Sequence, residues 1–97
     1  MSDKLEGDAR RTALGALTDR GWAEVEGRDA IVKEFKFADF VEAWGWMSRV
    51  AIHAQCADHH PEWSNVYNTV TVTLTSHDVN GLSQRDIDLA EKMDALS

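Results

Sequence analysis

The stretch Asn65-Val66-Tyr67-Asn68-Thr69-Val70-Thr71-Val72-Thr73-Leu74-Thr75-Ser76 decides the fold. Val66, Asn68, Val70, Val72 and Leu74 fall on one parity, and Thr69, Thr71, Thr73 and Thr75 on the other. A period of two, with β-branched residues throughout, is strand sequence. Two readings fit. One is a single long strand. The other is a tight hairpin at Tyr67-Asn68, because asparagine tolerates the left-handed backbone that such turns need.

Upstream, Asp39 is placed to start a helix. Phe40, Val41, Trp44, Met47, Val50, Ala51 and Ala54 then keep an i, i+3, i+4, i+7 rhythm to about Ala57. So wide an apolar stripe must lie on a sheet or on a partner. Before it, Trp22–Glu26 and Ala30–Phe37 read as strands joined by a turn at Gly27-Arg28-Asp29, which makes a hairpin. Residues 8–19 carry Ala9, Ala13, Leu14 and Leu17 at helical spacing, and Gly21 stops that helix. Downstream, Asp78-Val79-Asn80-Gly81 reads as a turn. Ser83 is a good N-cap, with Asp86 at the capping-box position in place of the usual Glu or Gln. Ile87, Ala90 and Met93 continue as a stripe, with Leu89 and Leu96 beside it. The order is α-β-β-α-β-β-α. Strands in consecutive pairs imply antiparallel hairpins. The fold class is therefore α+β: a four-stranded antiparallel sheet with helices packed on one face.

The 97 residues make one domain, spanning 1–97, and 43% of them are hydrophobic. Four tryptophans and three phenylalanines each offer roughly 150–250 Å² to a core. The net charge of −7 repels polyanions, and the basic residues are scattered, so nucleic-acid binding is not expected. A lone cysteine, Cys56, excludes an internal disulfide and fits a reducing compartment; it reads as simply buried. The charged N-terminal segment has no apolar signal region, and no apolar run is long enough for a membrane span. A soluble, cytoplasmic protein is expected.

The segment before the alternating stretch carries the chemistry. Asp58-His59-His60-Pro61-Glu62-Trp63 sets two imidazoles beside two carboxylates and a tryptophan. Histidine both gives and takes protons near neutral pH. Pro61 drives His60 extended, so His59 and His60 point to opposite sides and do different jobs. His77 follows Thr75 and Ser76 where the second strand is expected to end, a common place for functional groups. Three histidines could also hold zinc with an open fourth position. However, there is no His-x-x-x-His helix and no cysteine pair, so no metal is expected. His53 reads as a surface or interface residue. Trp63 is either a stacking platform or a core aromatic. Asp86 can orient an imidazole as well as cap its helix.

These residues also carry a resemblance. Gly21-Trp22, Glu26-Gly27-Arg28-Asp29-Ala30-Ile31, Asp58-His59-His60-Pro61-Glu62-Trp63, Asn65-Val66-Tyr67-Asn68 and Gly81-Leu82-Ser83-x-Arg85-Asp86-Ile87 closely resemble pterin-4a-carbinolamine dehydratases, from about Leu14 to Leu96. The resemblance implies dehydration of 4a-hydroxytetrahydropterin to quinonoid dihydropterin, in support of tetrahydropterin recycling. It implies no cofactor and no metal, and a homodimer or homotetramer. It places pterin contacts at Asp58, His59, His60, Thr75, Ser76, His77 and Asp78. The residues expected to act are His59, His60 and His77, with His60 and His77 as the main proton-transfer pair. Asp58, Trp63, Thr75, Ser76, Asp78 and Asp86 are expected to bind substrate or orient the imidazoles. Many members carry Glu-Lys where this chain has Gln55-Cys56. A non-catalytic dimerisation or coactivator module on the same fold is the alternative.

Overall fold

The computed structural model describes residues 4–97. In chain order the elements are α1 (Gly7–Thr18), β1 (Ala23–Glu24), β2 (Ile31–Lys36), α2 (Phe40–Cys56), β3 (Glu62–Val66), β4 (Thr69–Leu74) and α3 (Gln84–Leu96), with a single 3₁₀ turn at His77–Val79. The strands form one antiparallel sheet in the order β1-β2-β4-β3. The alternating stretch is thus a hairpin, and its second arm is central. β4 pairs with β2 from Ile31↔Leu74 to Lys36↔Thr69. It pairs with β3 from Glu62↔Thr73 to Val66↔Thr69.

The parity of that arm fixes the core. Val70, Val72 and Leu74 are buried with Ile31 and Phe35. Against that face lie Ala43, Trp46, Met47, Val50 and Ala54 of α2 and Ile87, Leu89, Ala90 and Met93 of α3. Helices therefore cover one face of the sheet. Trp46 sits at the centre with its ring 4.5 Å from Phe35 and its Nε1–H donating to the Met93 carbonyl at 3.2 Å. Trp22 donates to Asp94 at 3.0 Å, so each buried indole has its polar tip satisfied. Asp39 caps α2 by accepting from the Glu42 N–H at 2.8 Å.

Several boundaries differ from the sequence expectation, each for a local reason. The first strand is only Ala23–Glu24, because the Trp22 N–H bonds back to the Leu17 carbonyl at 3.1 Å rather than into the ladder. At the hairpin tip Tyr67, not Asn68, takes the positive φ, of 51°. Asn68 is occupied elsewhere, donating to the Phe37 carbonyl at 2.9 Å, while Asn65 braces the turn through the Tyr67 and Thr69 carbonyls. The turn also breaks the parity, and Val66 is exposed. Cys56 is exposed rather than buried. It lies two residues past buried Ala54, about 200° around the helix, on the outer face. Among the described residues no helix is long and apolar enough to cross a membrane.

Candidate active site

The end of α2 sorts the adjacent histidines. The Asp58 N–H bonds back to the Gln55 carbonyl at 3.1 Å, and the His59 N–H to the Ala54 carbonyl at 3.0 Å. Asp58 itself is left-handed, with φ 52°. This is the Schellman arrangement, with aspartate where glycine is usual. It folds the chain back so that His59 turns inward and His60 stays outside.

His59 is 7% exposed, and its Nε2 lies 2.5 Å from Oδ1 of the fully buried Asp86. The other oxygen, Oδ2, accepts from the Ser76 hydroxyl at 2.7 Å and from the Ser83 N–H at 3.0 Å. The Ser76 and Ser83 hydroxyls are 2.6 Å apart. Ser76 gives its proton to the carboxylate, so Ser83 must donate to Ser76. Ser83 in turn accepts from the backbone N–H and the Nε–H of Arg85, both at 3.3 Å. The capping aspartate is thus also the anchor of an imidazole. A carboxylate engaged by donors fixes the proton of His59 on Nε2 and leaves Nδ1 as the free nitrogen.

The two other imidazoles are held more lightly. His60 is exposed and places Nε2 3.2 Å from the Gln55 side-chain oxygen. His77 opens the 3₁₀ turn, and its Nε2 lies 2.9 Å from Oε2 of Glu62 on β3. Arg28, from the β1–β2 turn, grips both oxygens of Glu62 at 3.0 and 2.9 Å. The guanidinium, with His77 second, pulls the Glu62 carboxyl down to about 2 from its ordinary 4.5. All three histidines therefore meet an acceptor through Nε2 and keep Nδ1 for something else. Asp78 is paired with Arg85 at 2.6 Å, and that bond lowers the carboxyl below its ordinary value.

These groups surround one cavity of about 520 Å³, within the roughly 300–1,000 Å³ of small-molecule pockets. Its walls are Asp58, His59, His60, Pro61, Glu62, Thr75, His77, Asp78 and Arg85. The α2 end and the strand-end turn, far apart in the chain, thus face each other across it. Three of the residues expected to bind substrate or orient the imidazoles lie outside its walls. Trp63 packs on the core side, its ring 6.2 Å from Trp46. Ser76 and Asp86 are both buried behind His59, where Asp86 anchors the imidazole. Glu62, Arg85 and, behind Glu62, Arg28 are additions. Glu62 was visible inside the histidine motif, but its bonds to Arg28 and His77 cross the fold and leave no local signature. Among the described residues no group of three His, Cys, Asp or Glu side chains is arranged to hold a metal ion.

The family model described as pterin 4 alpha carbinolamine dehydratase matches residues 3–96. A protein of Jannaschia sp., provisionally named a pterin-4-alpha-carbinolamine dehydratase, is 58% identical over 97 residues, covering 100% of this chain and 99% of its own. A Ruegeria pomeroyi protein of the same provisional name is 59% identical over 96 residues, covering 99% of each. A crystal structure titled as a transcriptional coactivator/pterin dehydratase from Brucella melitensis superposes with a TM-score of 0.91 at 47% identity, over 97% of this chain and 98% of that one. A pterin dehydratase-like protein described as a RuBisCO assembly factor in the alpha-carboxysome shares the fold, with a TM-score of 0.67 at 19% identity over 78% of this chain and 88% of that one.

Proposed function

The chain belongs to the pterin-4a-carbinolamine dehydratase family, and from that membership we propose that it converts 4a-hydroxytetrahydropterin to quinonoid dihydropterin and water by histidine acid–base catalysis. The reaction breaks the C4a–O bond, forms a C4a=N5 bond from the N5 lone pair, and releases the N5 proton. Hydroxide is a poor leaving group unless it is protonated. One imidazole must therefore give a proton to oxygen while another takes one from nitrogen. Each such positioned transfer contributes about 10²- to 10⁴-fold.

The observation that carries this reading is the shared orientation of the histidines. His59, His60 and His77 wall one cavity, and each has Nε2 committed to a protein acceptor. His59, immobilised by Asp86, serves as a fixed acceptor for a ring N–H. His60 and His77 are the proton-transfer pair. An imidazolium at His77 faces the ionised Glu62, whereas one at His60 faces a neutral amide. That charge placement favours His77 as the donor to the 4a-hydroxyl and His60 as the acceptor of the N5 proton. Asp58, Thr75, Asp78 and Arg85 bound the ring; Ser76 and Asp86 act only through His59. Product would return to the tetrahydropterin pool, in the cytoplasm.

Two rival readings make different predictions. A coactivator module, as the Brucella melitensis protein is described, folds and associates but turns over no carbinolamine. A metal-dependent lyase loses activity to a chelator. The expected result is dehydration that survives chelation, with kcat reduced about 100-fold or more in His60→Ala and in His77→Ala. Near wild-type rates in both variants would refute the assignment.

A homodimer or homotetramer is part of the same reading. Phe40, Val41, Trp44 and Ile52 of α2 are 50%, 76%, 58% and 65% exposed. An apolar set of this kind along one helix suits a self-complementary contact between copies. Sedimentation equilibrium should report a multiple of the chain mass. A monomer at micromolar concentration would exclude it.

A further inference from the structure

We propose that the cleft between the end of α2 and the outer face of α3 is a second ligand site, that it takes an organic monoanion with an apolar body, and that its occupant acts on the histidine cavity through Arg85. The cleft has a volume of about 360 Å³, in the size range of small-molecule pockets. His53, Cys56 and Ala57 line it from the α2 end, and Arg85, Asp88, Leu89 and Lys92 from α3. The four α3 residues stand at i, i+3, i+4 and i+7, so they share one helix face.

The walls define the body of the ligand. Leu89, Ala57 and Cys56 present apolar surface, and a thiol behaves as a small hydrophobe. A hydrated inorganic ion gains little from such a wall, whereas a hydrocarbon body gains by covering it.

The charges define its sign. The chain carries −7 overall, yet this cleft holds two cations and one carboxylate. That carboxylate, Asp88, already accepts from the Gln84 amide at 2.9 Å. Lys92 makes no ion pair or side-chain hydrogen bond with the described residues. Arg85 gives its Nε–H to the Ser83 hydroxyl at 3.3 Å and one terminal nitrogen to Asp78 at 2.6 Å. Its other terminal nitrogen has no acceptor among the described residues. A carboxylate fits the open edge of a guanidinium.

Arg85 is the link to the chemistry, because it lines the histidine cavity as well as the cleft. Asp78, its partner, also walls the histidine cavity. An anion in the cleft competes with Asp78 for the guanidinium and draws it out of the shared wall. Occupancy therefore weakens pterin binding, and by linkage pterin weakens the anion. This kinetic consequence rests on the dehydratase reading; the site itself does not.

The chain's single cysteine reports on the site. The probe is benzoate, with benzamide (no charge) and acetate (no apolar body) as controls. Benzoate is expected to bind with a Kd on the order of 1 mM, in keeping with so small a ligand. At about ten times that concentration, alkylation of Cys56 by iodoacetamide should slow about 10-fold. Neither control should protect. Lys92→Met and Asp88→Asn lie outside the histidine cavity, and without benzoate both should dehydrate carbinolamine as wild type does. Lys92→Met should weaken protection about 3-fold, and Asp88→Asn should strengthen it by a similar factor. In the dehydration assay benzoate should raise the carbinolamine KM about 3- to 5-fold, at the low end of usual couplings, and less so in Lys92→Met. No protection by benzoate overturns the site. Equal protection by benzamide overturns the anionic assignment, and equal protection by acetate overturns the apolar one. Protection unchanged in both variants overturns the role of the cleft charges. Protection with no change in KM, or a KM rise undiminished in Lys92→Met, overturns the link through Arg85. Absence of turnover defeats the dehydratase reading alone, because protection of Cys56 decides the site in either case.

Discussion

His59 and His60 are neighbours in the chain and share almost nothing else. His59 is buried, bonded to a fully buried carboxylate that also caps α3. His60 is exposed and touches one neutral amide at 3.2 Å. A single left-handed residue, Asp58, produces the split. The difference teaches that the same side chain can belong to the scaffold or to the chemistry, depending on which way one turn sends it. Substitution should separate the roles sharply. Asp86→Ala removes the acceptor of His59, of Ser76 and of the Ser83 N–H, together with half of the capping box. Buried donors left unsatisfied and a lost cap together cost about 3–5 kcal/mol of stability. His60→Ala should cost less than about 0.5 kcal/mol, as exposed positions do. Urea unfolding of the two variants checks this. If they lose equal stability, the distinction between buried anchor and exposed reagent fails.

The comparison extends to His77, which is exposed like His60 but partnered by a carboxylate like His59. Glu62 is held at about 2 when folded, against 4.5 ordinarily, chiefly by Arg28 and then by His77. The folded state therefore favours the ionised form. Its contribution is fully present above pH 4.5 and is lost as pH falls through the window down to about 2. The group is well exposed, so water and salt screen the effect. Wild type should exceed Glu62→Gln in urea midpoint at pH 6, and the gap should close between pH 4.5 and 2. A gap that persists unchanged at pH 2 would mean that the charge of Glu62 is not what joins the two turns.

What the sequence disclosed here depended on range. The long apolar rhythm of α2, the alternation of β4 and the Ser83–Asp86 capping box are local patterns, and each appears in the fold with small shifts at its ends. The opposed directions of His59 and His60 were legible too, although the effective cause is the turn at Asp58 as well as the proline. The clamp on His77 was not legible. Arg28 and Glu62 are 34 residues apart, and only the sheet brings the β1–β2 turn beside the start of β3. Of the two readings of Trp63, the structure shows the core one, whereas Cys56, expected to be buried, is exposed. For Cys56, residue type predicts burial on average, whereas the phase of the helix decides it for one residue.

Asp58 carries the smallest effect and the most direct probe of why the turn is built as it is. A non-glycine residue at φ 52° sits in a region that glycine enters without steric cost. Asp58→Gly should relieve that strain, and the greater freedom of glycine in the unfolded chain takes part of the gain back. The net expectation is stabilisation of about 0.5 kcal/mol. The same substitution deletes a carboxylate from the cavity wall, so kcat/KM should fall while the urea midpoint rises. Opposite signs mean that the backbone strain is retained for the sake of the side chain, as strained residues at functional sites often are. A loss of stability would mean instead that the carboxylate supports the turn, and the left-handed aspartate would then belong with Asp86 to the scaffold.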